Sequence, residues 1–354
     1  MITRHLQFRM FNSRRAHALL ALTFATTLAF MPAQAQTQTK ARYVTFDIKN
    51  ALQTTGGSIN DNGYIAGWYM DSVKKNHGIF RAPDGTITIF NVPGATDTYG
   101  NCINIKNVIT GEYFAVSGFQ LFEHGYVRAA DGTITTFDPP GSISTFPVFI
   151  NDRGAIVGSY FDSAGNQHGF LRSAKGKFTT FDVNGSNALW PESMNNEGAI
   201  TGFGWTGQNT TLGFVRAPNG KITTFEAPGS ARTEPWSINK AGVITGTYVD
   251  ANGVFHGFVR ASDGTVTTID PEGSAGTQTY VVNDKGMIVG GYLVSGHGVD
   301  FVGFMRSPDG KITTFDPHKS GWVLELGLNN HGAVTGGYAH SYTQGVQHGF
   351  VLTK

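Results

Sequence analysis

The chain has 354 residues, of which only 14% are charged, and a formal net charge of +1. No basic stripe runs along it, which argues against nucleic acid as a partner, and no like-charge block marks a solvated tail. Forty-seven glycines and a single cysteine, Cys102, point to many short strands and tight turns held by packing, without an internal disulfide.

Residues 1–35 read as an export signal. Arg4, Arg9, Arg14 and Arg15 form a basic start, Ala16 to Phe30 is an apolar run too short to span a bilayer, and Ala33-Gln34-Ala35 fits a cleavage site. The pattern predicts removal of 1–35, Sec-type export and a periplasmic or extracellular location. Ser13-Arg14-Arg15 leaves twin-arginine export open. No cysteine follows the cleavage site, which argues against a lipid anchor, and no later run is long and apolar enough to span a membrane. Residues 36–42 read as a short linker before a single domain over 43–354.

From Tyr43 onward one sentence of roughly 44 residues recurs seven times. Its Ile-Asn anchor contributes Asn60, Asn104, Asn151, Asn195, Asn239, Asn283 and Asn329. Its His-Gly-Phe anchor contributes Gly78, Gly125, Gly169, Gly213, Gly257, Gly303 and Gly349. Its Thr-Phe-Asp anchor contributes Phe46, Phe90, Phe137, Phe181, Phe225, Ile269 and Phe315. Three intervals are invariant: 14 residues from Thr-Phe-Asp to Ile-Asn, 7 from there to a glycine before x-Tyr, and 12 from His-Gly-Phe to the next Thr-Phe-Asp. Only the stretch from Gly-x-Tyr to His-Gly-Phe varies, being 11 residues in four repeats, 14 in the second and 13 in the sixth and seventh.

Each repeat carries four strand-like runs; in the fifth they are expected at Pro235–Asn239, Val243–Val249, Phe255–Ala261 and Thr265–Asp270. Pro83-Asp84-Gly85 closes one hairpin. Glycine, or Asn107 in the second repeat, supplies the left-handed residue of the other. Four strands repeated seven times predict an all-β fold, a seven-bladed β-propeller. Tyr43–Asp47 is an outer strand without a blade, and the last repeat ends after Gly349 without its outer strand. The N-terminal strand should therefore complete the C-terminal blade and close the ring; an open β-solenoid is the alternative fold. In this order the variable loop and the 14-residue crossover share one face, where binding is expected.

The anchors Ile-Asn-Asp-x-Gly-x-Ile-x-Gly-x-Tyr and His-x-Phe resemble the bacterial exported HAF-repeat family, named for its His-Ala-Phe tripeptide. The resemblance covers 43–354. This chain departs from that pattern in having His-Gly-Phe followed by Arg. The resemblance implies export and a propeller-like fold, and brings no activity or functional residues with it.

Five histidines in register, His77, His124, His168, His256 and His348, could suggest metal or acid–base chemistry. Leu212 and Val302 occupy the same position in two repeats, however, and equivalent positions of different blades lie too far apart for one metal. A framework role is therefore expected, and the same holds for the in-register arginines and for the calcium-like loops at Asp162 and Asp250. No metal, cofactor or catalytic residue is assigned. Function should sit where the copies disagree. Five residues before each Asn stand Thr55, Tyr99, Phe146, Trp190, Glu234, Gln278 and Leu324, with Glu192, Trp236 and Tyr280 nearby. Tyr99, Phe146, Trp190, Glu192, Glu234, Trp236 and Tyr280 are the candidate ligand-binding residues, a stacking and hydrogen-bonding platform suited to a carbohydrate-like ligand. Packing between blades is the competing reading. The leading expectation is a monomeric, non-enzymatic propeller binding a small molecule, glycan or protein on its variable-loop face. The alternatives are a glycan-cleaving hydrolase or lyase using Glu192, Glu234 and Glu112, or a structural or adhesive surface protein.

Overall fold

The computed structural model describes residues 42–353, apart from 119, 208, 297–299 and 341–345. The expected signal segment and the linker up to residue 41 lie outside the described residues. Among the described residues no helix is long and apolar enough to cross a membrane.

Each repeat folds into four antiparallel strands. In the third they are Ser142–Ile150, Ile156–Asp162, Gln167–Arg172 and Phe178–Phe181, paired in sequence order. The fourth and fifth repeats are joined into one eight-stranded sheet by a single parallel pair, Thr211 with Arg232. The last repeat supplies three strands. The fourth strand of that sheet is Arg42–Phe46, antiparallel to His348–Thr353 with Phe46 opposite Gly349.

The turns follow the chemistry of their residues. Gly85 has φ +97° and Asn107 φ +60°, as left-handed turn positions require. In the fifth repeat the inner strand spans Ser230–Ile238, five residues longer at its start than the sequence suggests. Pro235 lies inside this strand, paired with Gly246 just before a break in the ladder between Pro235 and Ser237. A proline is tolerated at such a bulge because no ladder hydrogen bond is asked of it there.

The core lies between neighbouring sheets. The aromatic after each His-Gly pair is fully buried: Tyr126, Phe170, Phe214, Phe258, Phe304 and Phe350 all have at most 0% relative exposure, with Ile79 in the first repeat. Each such side chain contributes roughly 1.5–3 kcal/mol of burial. One cluster joins Val157, Phe181 and Val183 of the third repeat to Leu189, Met194, Ile200 and Phe214 of the fourth. The glycine between His and Phe makes room for this packing. A Cβ on Gly169 would stand 2.7 Å from the Phe181 ring, directly across the ladder.

Two devices tie repeat to repeat. The first is the anchor asparagine. In Asn195, Oδ1 accepts the backbone N–H of Ala199 at 2.9 Å, closing its own hairpin, while Nδ2 donates to the carbonyl of Asn239 at 3.1 Å. The same Nδ2 bond runs from Asn60 to Asn104, Asn104 to Asn151, Asn151 to Asn195, Asn239 to Asn283, Asn283 to Asn329, and Asn329 back to Asn60. The second is the arginine that follows His-Gly-Phe. Its guanidinium lies over the Thr-Phe-Asp ring of the preceding repeat: Arg81 on Phe46, Arg128 on Phe90, Arg172 on Phe137, Arg216 on Phe181 and Arg260 on Phe225. Burial lowers the pKa of these arginines from the ordinary value.

Candidate functional site

Every inner strand is interrupted at one shared place, and those of the third, fifth and sixth repeats break once more near their start. The pairing skips a residue between Gly56 and Ser58, Gly100 and Cys102, Pro147 and Phe149, Pro191 and Ser193, Pro235 and Ser237, and Thr279 and Val281. The last repeat breaks between Leu324 and Gly327. Opposite each break stands the glycine of Gly-x-Tyr; a Cβ on Gly202 would fall 2.0 Å from the Trp190 carbonyl oxygen. Such a bulge re-aims the skipped side chain. The skipped residues are Gly57, Asn101, Val148, Glu192, Trp236 and Tyr280.

Five of these six, all but Tyr280, line a channel of about 300 Å³ bounded by the inner strands of all seven repeats. Its wall carries Ser58, Cys102, Ser193 and Ser237 one residue further on. Burial holds the Cys102 thiol up at about 11, so it stays protonated at neutral pH. At the hairpin end of the channel stand Asp61, Asp152 and Asp284. Their carboxylates are used by the framework: Asp61 accepts from Asn330, Asp152 from Ile105 and Asn196, and Asp284 from Lys240. Among the described residues no group of three or more His, Cys, Asp or Glu is arranged to hold a metal.

An aromatic sector borders the channel in the fourth and fifth repeats. Trp190 stacks on Phe203 across the ladder, with centroids 5.4 Å apart, and leans toward Trp205. Phe203 in turn meets Trp236 of the next repeat edge-on at 5.3 Å. Trp236 donates from Nε1 to Thr247 Oγ1 at 3.2 Å, which fixes the indole while its face stays partly accessible. Of the expected residues, Glu192 and Trp236 line the channel, and Trp190 is linked to Trp236 through Phe203. Glu234 is half-buried and 3.9 Å from Arg232. Tyr99 lies in a different sector, edge-on to Trp68 of the first repeat at 5.5 Å.

Two candidates turn inward. Phe146 is 1% exposed and packs edge-on against Phe161 of the neighbouring strand, although Trp190 at the same repeat position is half-exposed. Tyr280 is 9% exposed and its hydroxyl donates to Gln278 at 2.6 Å. Glu112 is 7% exposed, opposite Tyr99 in the ladder. Sequence reasoning missed Asn101, Phe203 and Thr247. Phe203 and Thr247 each lie 13 residues after the position that pairs with them, a fixed spacing that could have found them.

The in-register histidines are framework ties. His124, His168, His256 and His348 each place Nδ1 within 2.7–3.0 Å of the carboxylate at the end of an outer strand, and His77 reaches Asn91. Each ring stacks on the tyrosine of Gly-x-Tyr, as Tyr248 does on His256 at 4.9 Å. His168 also has Asp162 Oδ2 3.3 Å from Nε2. A neutral imidazole offers one N–H, so two carboxylates favour the imidazolium. Burial alone would depress the pKa of His168, but its bonds to Asp182 and Asp162 outweigh that and raise it. Asp162 and Asp250 cap their turns; Asp162 Oδ1 accepts the N–H groups of Asn166 and Ala164, which pushes its carboxyl down to about 2. Asp250 does the same for Asn252 and Val254.

No family model matches the chain, and no curated protein matches it. Solved structures do. The β-propeller domain of the Trilobed protease from Pyrococcus furiosus is similar over 88% of this chain and 95% of its own, with a TM-score of 0.56 at 10% identity. A puromycin hydrolase is similar over 80% of this chain, with a TM-score of 0.57 at 11% identity. The fold is a β-propeller. TolB from Acinetobacter baumannii matches over 71% of the chain, with a TM-score of 0.49 at 13% identity. The chain spans 50% of the puromycin hydrolase and 62% of that TolB. At these identities the likeness concerns the fold alone.

Proposed function

We propose that the protein is an exported, non-enzymatic seven-bladed propeller of the HAF-repeat type that binds a carbohydrate-like ligand at the variable-loop side of its channel. Export is the reading of residues 1–35, with their basic start, apolar run and cleavage site. Seven blades are the reading of seven repeats, six with four strands and the last with three strands joined by Arg42–Phe46. Ring closure is supported by the pairing of Arg42–Phe46 with the last strand and by the bond from Asn329 to Asn60.

One observation carries the binding reading: Trp190, Phe203 and Trp236 are assembled from two repeats beside a channel whose wall holds Glu192 and Trp236. Aromatic faces stack on the apolar faces of sugar rings, while an adjacent carboxylate accepts from hydroxyl groups. The bulge re-aims the skipped side chains out of the regular alternation of the strand and toward the channel.

The test is a thermal-shift and calorimetric screen of the mature protein against a glycan panel, repeated with Trp236→Ala and Trp190→Ala. A glycan should raise the melting temperature of the parent protein and lose that effect in Trp236→Ala. Unchanged glycan binding in both variants would remove the aromatic sector from consideration.

A further inference from the structure

The two ends of the blades carry opposite charge. Among the described residues, the strand ends and connections on the variable-loop side hold twelve carboxylates against five cations. Six of the carboxylates follow the outer strands: Asp47, Asp138, Asp182, Glu226, Asp270 and Asp316. Asp71, Asp162, Asp250 and Asp300 sit at the variable loops, and Asp97 and Glu272 at the entries to inner strands. The five cations are Lys49, Lys74, Lys75, Arg232 and Lys319. At the hairpin end the balance reverses, with eight carboxylates against fifteen cations. The repeat writes this polarity itself, since Thr-Phe-Asp ends at one side and the arginine after His-Gly-Phe at the other.

Exposed aliphatic side chains follow the acidic end. Leu52, Val73, Val116, Ile143, Val254 and Val346 all lie in its loops or strand ends, with Val73 79% and Val116 60% exposed. Ile89 stands on an outer strand, and the hairpin end has no exposed large aliphatic among the described residues. Six of the seven exposed large aliphatics among the described residues thus lie at one end, where an apolar partner surface would take them out of water. These six come from the first, second, third, fifth and seventh repeats, a spread that no small ligand at the channel can span.

We infer that the variable-loop end is a docking surface for a cationic polypeptide carrying apolar side chains. Charge complementarity selects the partner: positive groups meet the carboxylate rim, and apolar groups cover the valines between them. The surface lies around the aromatic sector and does not depend on what that sector binds. His124 and His168, whose pKa values are raised by their carboxylate partners, stand at the same end, so the measurement belongs at pH 8, on the alkaline side of the ordinary histidine range.

The experiment is calorimetric titration of the mature protein with a synthetic Lys/Leu peptide and with its Glu/Leu counterpart. The Lys/Leu peptide should bind and the Glu/Leu peptide should not, with affinity falling about tenfold between roughly 20 and 300 mM salt as the rim is screened. Val73→Ser with Val116→Ser, and separately Glu226→Lys with Glu272→Lys, should each weaken binding about tenfold. Asp84→Lys with Asp131→Lys, at the hairpin end, should leave it unchanged, and so should Trp236→Ala. The inference is overturned if either rim pair leaves binding intact or if the hairpin-end pair weakens it equally. Loss of peptide binding in Trp236→Ala would also overturn it, by moving the peptide into the aromatic sector. Sedimentation showing self-association abolished by the rim variants would make the occupant a second copy and overturn it as well.

Discussion

The side-chain amide of Asn329 donates to the backbone carbonyl of Asn60 at 3.0 Å, across 269 positions of sequence. The six other anchor asparagines make the same bond to the next repeat, so a contact that is local elsewhere becomes the longest-range side-chain tie of the inner rim here.

Each anchor asparagine therefore has two jobs that can be separated. Asn195→Ala removes the acceptor for Ala199 and the donor to Asn239, and should cost about 2–3 kcal/mol in urea unfolding. Asn195→Asp keeps the acceptor and loses the donor, and its carboxylate then faces the Asn239 carbonyl. If the aspartate variant were as stable as the parent, the inter-repeat bond would contribute nothing.

The glycine of His-Gly-Phe should tolerate no side chain. Gly169→Ala brings a Cβ to 2.7 Å from the Phe181 ring and should destabilise by about 1–3 kcal/mol. Phe181→Leu in the same background should recover part of that loss. Equal additive losses in the double variant would show that the ring is not what the methyl meets.

The arginine ties predict coupling between repeats. A double-mutant cycle on Arg172→Met and Phe137→Leu should give a coupling of about 0.5–1 kcal/mol, since the guanidinium lies 4.7 Å from the ring centroid. Single-variant losses that simply add would assign Arg172 to packing of its stem alone.

The His168 tie fixes the sign of a pH dependence. Its pKa is raised in the folded protein by Asp182 and Asp162, so the tie stabilises fully below the unfolded value of about 6.5 and fades as pH rises through the folded value. Melting temperature should fall as pH rises above about 6.5, and His168→Gln should flatten that fall. An unchanged slope in the variant would assign the dependence to other groups. Asp162 works the other way: held down at about 2 by Asn166, it stabilises above the ordinary carboxylate range and is lost as pH drops toward its folded value.

The repeat spacing carried most of the fold, because the anchors are residues the backbone itself demands. Gly85 and Asn107 have the positive φ that their turns call for, and Phe181 lies across from Gly169 because only glycine leaves room for it. The site was harder to read. Glu192 and Trp236 reach the channel because of bulges, and a bulge is invisible to a pattern that counts every residue as one step of the ladder. Pro147, Pro191 and Pro235 were the available signal, each a residue that a continuous inner strand would reject. Phe146 and Trp190 both stand two residues before a bulge, yet Phe146 is buried and Trp190 is half-exposed, a difference the spacing could not carry. The polarity of the two ends was present in the sequence as well, but charge counted along a chain says nothing until each strand has a direction.

The bulges have a consequence for how such a molecule can diverge. Gly57, Asn101, Val148, Glu192 and Trp236 occupy one structural position and share almost no chemistry, while the anchor asparagine three residues further on is the same in every repeat. The architecture thus keeps one slot in each repeat whose letter is not dictated by the strand ladder, even where, as with Asn101 and Trp236, the side chain goes on to bond to its surroundings. Recognition at the channel can be respelled there one letter at a time.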